Sequence, residues 1–145
     1  MNGYYFANCS PMLFTISRGN VAGYNGVQAD VIYLVTSVGK IVAGNRPWFF
    51  TDGNAADALT EFLTGTERLD TIDWEVIGAK IWRDTSDDPD RKRRKQAEFL
   101  VHGSVPWDCF DRIGVIDHRK ARRVEEIIAE AKHQPEVVVE PGWYY

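Results

Sequence analysis

Short runs of β-branched and aromatic residues, each closed off by turn-forming residues, recur along the chain and limit the folds open to it more than any other feature. Met12–Ser17, Asp30–Ser37, Trp48–Thr51, Ala97–Val101, Arg112–Asp117 and Val137–Val139 each have strand character, and each predicts a strand. Between the first two, Arg18–Gln28 is rich in glycine and asparagine and predicts a loop. Helical spacing appears only between these runs. Ser37–Ala43 predicts a short helix that Gly44-Asn45-Arg46-Pro47 breaks. Asn54 is a good N-cap for a helix carrying Ala55, Leu59, Phe62 and Leu63. Asp73–Trp82 places Trp74, Ile77 and Ile81 on one face. Asp117 caps a helix running to about Lys132, with Ala121, Val124, Ile128 and Ala131 as its apolar stripe. The expected class is α+β with an irregular strand order.

At 145 residues the chain is expected to form one domain, residues 1–145, with a buried core. A net charge of −4 gives no global positive field, so contact with a nucleic acid would need a local basic patch. Two cysteines, Cys9 and Cys109, are too few for a disulfide framework. No apolar stretch approaches the ~20 residues of a membrane span, and Met1–Phe6 has no signal-peptide pattern. The expected compartment is the cytoplasm, with no membrane partner. The terminal Trp143-Tyr144-Tyr145 predicts a packed C-terminus, because those rings need burial. Tyr4-Tyr5-Phe6 has no preceding element to pack on, as if the chain began in the middle of a larger unit.

Few residues carry a chemical signal. His102, His118 and His133 lack ligand spacing, and neither cysteine has a CxxC partner, so no metal is expected. Cys109 reads as a buried small hydrophobe rather than a nucleophile. No glycine-rich phosphate loop stands between a strand and a helix. There remains Arg91–Val101, in which RKRRK runs almost directly into a strand bearing Glu98. The acidic Asp84–Asp90 and the basic Arg91–Lys95 together predict a mobile, solvated loop. On its strand Glu98 points away from the face of Ala97 and Phe99. Flanked by apolar residues, it either pairs with a neighbouring base or is poised near an anionic ligand.

That block also carries a resemblance. KRRKQAEFLV, Val105-Pro106-Trp107 and Ile113-Gly114-Val115 look like the catalytic-glutamate region of DarT proteins. The likeness extends, in family order, to Tyr5-Phe6, Ser10-Pro11-Met12-Leu13, Gln28, Tyr33–Ser37, Phe50-Thr51-Asp52, Ile72–Glu75 and Trp143-Tyr144-Tyr145. The resemblance implies an ADP-ribosyltransferase-like split β-sandwich with packed helices. It further implies transfer of ADP-ribose from NAD, as co-substrate, to a base in single-stranded DNA. Thymidine is the first expected target and guanosine the alternative. The activity would be that of a toxin paired with a macrodomain antitoxin.

By the same resemblance Glu98 is the catalytic residue, holding the nicotinamide ribose and stabilising the cation-like transition state. Tyr5, Met12 and Asn54 fall at pocket positions, with core packing an equal alternative for Tyr5 and Met12. Arg91, Lys92, Arg93, Arg94 and Lys95 match a segment that approaches DNA. Two positions depart from the family: Asn54 stands where many relatives have histidine, and Cys9 where they often have arginine. The resemblance covers about the last two-thirds of the family domain. The family's preceding stretch, which grips nicotinamide, has no counterpart in the sequence, so the chain is expected to be N-terminally truncated and to bind NAD poorly by itself. The competing expectation is an inactive relative that only binds DNA, or a non-functional fragment.

Overall fold

A computed structural model describes the whole chain, Met1–Tyr145. In chain order its elements are β1 (Asn2–Tyr5), α1 (Pro11–Ser17), β2 (Tyr33–Val35), α2 (Val38–Ala43), β3 (Trp48–Thr51), β4 (Phe62–Leu63), α3 (Trp74–Gly78), α4 (Arg91–Arg94), β5 (Glu98–Val101), β6 (Arg112–Val115), α5 (His118–Ile128) and β7 (Glu136–Val139). They form two compact units, each assembled from two stretches of chain. The mixed α+β class is as expected, with the strands divided between two sheets. No helix is long and apolar enough to cross a membrane.

The first unit, Met1–Pro11 with Arg46–Ser104, holds a four-stranded sheet in the order β1-β5-β3-β4. Its ladders are antiparallel, with Tyr5 opposite Glu98, Gly3 opposite Leu100, and Phe50 opposite both Phe99 and Leu63. Alternation along β5 sends Phe99 and Val101 into the core, where both are almost wholly buried. Trp48 stacks on Phe99 at 5.0 Å, and Phe6 meets Phe50, Phe99 and Trp74 edge-on at 5.5–6.3 Å. Such pairs add about 1 kcal/mol each to the burial of the rings. From the aromatic start of the chain, Phe6 thus packs on this sheet's core face. Gly3, Tyr5, Glu98 and Leu100 share the opposite, more open face.

The second unit, Met12–Asn45 with Val105–Tyr145, holds a three-stranded sheet in the order β2-β6-β7, with β6 and β7 parallel. Helix α5 lays Ala121, Val124 and Ile128 on Ile113, Val115, Val137 and Val139. Asp117 caps it as expected, its carboxylate accepting from Lys120 N–H at 2.8 Å. The helix stops at Ile128 rather than near Lys132, and the Gln134 side-chain amide donates to the carbonyl of Ala129 just beyond it. The C-terminal rings are anchored as predicted. Tyr144 is buried and donates to the Val31 carbonyl at 2.8 Å, Tyr33 donates to the Trp143 carbonyl at 2.7 Å, and Gln28 exchanges two hydrogen bonds with the backbone of Tyr145.

Four expectations fail, three of them for local reasons. Met12–Ser17 is helical, not a strand: Pro11 starts the helix with a pre-set φ, and Gly19 ends it at φ 68°. These end signals outweigh the strand preference of Phe14, Thr15 and Ile16. No helix follows Asn54, because Asn54 and Asp57 each turn their own backbone, accepting from Ala56 and Leu59 N–H at 2.9 Å. The chain then enters β4. Helix α3 ends at Gly78 rather than Trp82, with the Ile77 and Ala79 carbonyls taken by the ammonium of Lys95. Ile81 is left 74% exposed. The strand expected over Asp30–Ser37 is confined to Tyr33–Val35, since Gln28–Asp30 forms a 3₁₀ turn.

Candidate active site

The segment Arg91–Lys95 is no mobile, solvated loop. It forms the turn of α4, closed by Arg94 N–H to the Asp90 carbonyl at 3.2 Å and Lys95 N–H to the Arg91 carbonyl at 2.9 Å. The preceding acids neutralise it. Arg93 donates to Asp90 through Nε and Nη2, both at 2.8 Å, to Asp52 at 3.0 and 3.4 Å, and to Thr60 at 3.2 Å. The bond to Asp90, and after it that to Asp52, hold the Arg93 pKa above the ordinary arginine value despite its partial burial. Arg94 pairs with Asp73 and Asp88, and Arg91 lies 3.7 Å from Asp88. Lys95 is 3% exposed and donates to the Ile77 and Ala79 carbonyls at 2.6 and 2.8 Å. Burial lowers its pKa. Of the five bases only Lys92 stands in the open, its backbone N–H bound to Asp84 at 2.8 Å.

This clasp delivers the chain into β5. Asn54 N–H donates to the Arg93 carbonyl at 3.0 Å, and the Asn54 side-chain amide donates to Gln96 at 3.1 Å. Asn54, Asp84, Lys92, Arg93 and Gln96 line an open polar cleft of about 390 Å³. Two residues later, Glu98 N–H donates to Thr51 Oγ1 at 3.1 Å, and the hydroxyl donates onward to the Gly53 carbonyl at 2.7 Å. Thr51 is fully buried.

Glu98 is half-buried on the open face of the sheet, opposite Tyr5. Burial pushes its carboxyl pKa up, and burial together with the charge of Glu98 pushes up that of Tyr5. None of the chain's ion pairs uses Glu98. The reading in which a neighbouring base neutralises it is therefore overturned, because Arg91, Arg93 and Arg94 turn to aspartates and Lys95 to carbonyls. An unpaired, partly desolvated carboxylate can accept hydrogen bonds from hydroxyls, take a proton, or stabilise a developing cation.

Tyr5 and Glu98 are thus brought together, with Tyr5 37% exposed rather than in the core. Asn54 lies in the cleft beside the clasp. Met12 belongs to the second unit and is 54% exposed, so it is not a core residue. Cys9, which stands where relatives often have arginine, is buried with φ 52°, whereas Cys109, expected to be a buried small hydrophobe, is only partly buried. No group of three or more histidine, cysteine, aspartate or glutamate residues converges in a metal-binding arrangement. Gly3, Thr51, Asp52 and Gln96 are contributors that sequence reasoning did not single out. A clue lay in the Phe50-Thr51-Asp52 motif, whose polar residues follow two buried-type aromatics.

Residues 3–145 match the family model described as ssDNA thymidine ADP-ribosyltransferase, DarT. The chain is 37% identical over 144 residues to a DNA ADP-ribosyl transferase of Thermus aquaticus, which covers 98% of this chain and 62% of that protein. It therefore spans less than two thirds of that relative's length. Thermus sp. 2.9 DarT in complex with ADP-ribosylated ssDNA superposes with a TM-score of 0.92 at 32% identity, over 99% of this chain and 68% of that one. The same protein in complex with NAD+ gives a TM-score of 0.92 at 32% identity, over 99% and 71% of the two chains.

Proposed function

Because this chain belongs to the DarT family, we propose that it carries the reacting carboxylate of an NAD-dependent transferase that ADP-ribosylates a base in single-stranded DNA. Thymidine is the target we favour, with guanosine as the alternative. The observation that carries this reading is the Glu98 carboxylate, half-buried, without an ion-pair partner and on an open sheet face beside Tyr5. These residues suit the ribose end of NAD: an unpaired acceptor for its hydroxyls, with a partly exposed aromatic ring alongside.

In this reaction the glycosidic bond to nicotinamide breaks, the anomeric carbon bonds to the base, and the base gives up a proton. Glu98 holds the ribose, offsets the positive charge that develops at the anomeric carbon, and accepts that proton. A carboxyl whose pKa is raised by burial is a better proton acceptor than an ordinary surface glutamate. Asn54 stands at the cleft where many relatives have histidine. It keeps hydrogen-bonding capacity but cannot titrate, so proton transfer falls to Glu98. Lys92 and Arg91 are the bases we assign to phosphate contact. Arg93, Arg94 and Lys95 act behind them by holding the segment in shape.

We further propose that the activity is toxic to its host cell and acts in the cytoplasm. The mark would then be reversed by a macrodomain antitoxin.

The test is mass spectrometry of short single-stranded oligonucleotides of differing base content, incubated with the chain and NAD. One added ADP-ribose on thymidine-containing strands, lost in Glu98→Gln, is the expected result. Addition that survives Glu98→Gln would remove Glu98 from the chemistry, and no addition from any strand would refute activity of this polypeptide.

A further inference from the structure

Residue 3 is a glycine in the middle of an edge strand, where glycine weakens pairing and a side chain would normally add contacts. Its backbone does not require glycine, since its φ lies outside the left-handed region. What the position lacks is space. A Cβ at residue 3 would lie 2.5 Å from Glu98 Oε2 and 3.6 Å from Cδ. Gly3 pairs with Leu100 and Tyr5 with Glu98, so Gly3 and Glu98 are diagonal neighbours on one face of the sheet. The carboxylate of Glu98 lies across the bare backbone of Gly3.

We propose that Gly3 is a positioning residue for Glu98: the missing side chain is the seat that fixes where the carboxylate points. Two neighbours complete the seat. Tyr5 flanks it along β1, and Thr51 holds the Glu98 backbone from the other side through its hydroxyl. Any side chain at residue 3 pushes the carboxylate off this seat, because the end of a glutamate yields more easily than a strand backbone. The catalytic meaning of the displacement rests on the function proposed above, but the geometry does not.

A four-member cycle tests it, comparing the unaltered chain, Gly3→Ala, Glu98→Ala and the double variant by thermal melting. Gly3→Ala should raise the melting temperature when Glu98 is also replaced, as alanine is the better strand residue. It should fail to do so, or lower it, when Glu98 is present. An equal shift in both backgrounds overturns the proposal, as does a Gly3→Ala chain that fails to fold in both. Failure to fold only when Glu98 is present supports it.

A second readout is the carboxyl ¹³C titration of Glu98, whose midpoint should fall in Gly3→Ala as the group moves towards water. An unchanged midpoint overturns the seat. In the oligonucleotide assay, Gly3→Ala should lower kcat about ten- to a hundredfold, with a smaller rise in KM for NAD. If the unaltered chain transfers nothing, the functional reading fails while the melting cycle and the titration still decide the role of Gly3.

Discussion

The hydroxyl of Thr51 stands in for a main-chain partner at Glu98. The ladder between β3 and β5 pairs Phe50 with Phe99 and goes no further, yet the next N–H, that of Glu98, still has an acceptor in Thr51 Oγ1. The same hydroxyl satisfies the Gly53 carbonyl. Thr51→Val keeps the shape and removes both bonds. It should cost about 2 kcal/mol, because a donor and an acceptor are left unpaired in or near the core. Thr51→Ser should recover most of that in urea unfolding. A valine variant as stable as the unaltered chain would show that the hydroxyl is incidental.

Glu98→Gln should separate stability from chemistry. Burial raises the folded-state pKa of Glu98, so the folded chain holds its proton more tightly than the unfolded one. The contribution of the protonated group is complete below the unfolded value and is lost as pH rises through the folded value. At about pH 7 the desolvated charge therefore costs stability, and Glu98→Gln should raise the melting temperature there. Below about pH 4, where carboxyls are protonated in both states, the gain should vanish. The proposed ADP-ribosylation should fall by at least about a hundredfold. Melting curves at the two pH values check the sign.

Arg93 and Lys92 are adjacent in sequence but should behave as different kinds of residue. Arg93→Ala leaves Asp52 without its ion-pair partner and Asp90 with Arg94 alone, and should destabilise the first unit by about 2 kcal/mol. Lys92→Glu changes an exposed side chain and should alter stability by no more than about 0.5 kcal/mol. It should nonetheless weaken binding to a single-stranded oligonucleotide, measured by fluorescence anisotropy. Equal destabilisation by both would contradict the clasp.

Tyr144 offers a test at alkaline pH. Burial pushes its phenol up to about 12, so the neutral form is favoured in the folded chain. That stabilisation is complete below the unfolded value of about 10 and is lost as pH rises through the folded value. Tyr144→Phe removes the bonds to the Val31 and Gly114 carbonyls and should cost about 1 kcal/mol at neutral pH. The difference between the two proteins should shrink above about pH 10. Unfolding followed between neutral and alkaline pH would show whether the gap closes.

What the sequence made legible was what neighbours in sequence determine. Asp117 announced its helix by capping, and the apolar alternation of β5 told which way Glu98 faces. What it hid depends on partners far along the chain. Arg93 reads as a solvated charge until Asp52, forty-one positions earlier, is known to lie beside it. Lys95 reads the same way until the carbonyls ending α3 are found around its ammonium. Gly3 carries no signal at all without the register that lays it diagonally from Glu98. The helix at Met12–Ser17 was obscured by side chains that favour strands, although Pro11 and Gly19 marked its ends.

The inward turn of the basic run bears on how this protein would respond to ionic strength. An oligonucleotide sheds about 0.7 of a counterion for each phosphate that a protein cation neutralises. Five free bases would make the logarithm of affinity fall with the logarithm of salt at a slope of about −3.5. With Arg93, Arg94 and Lys95 already committed within the fold, Lys92 and at most Arg91 remain to displace ions, and the slope drops to about −1. A segment that looks like a polycation is, thermodynamically, close to a single charge. The grip of this segment on DNA would then scarcely notice changes in the salt around it.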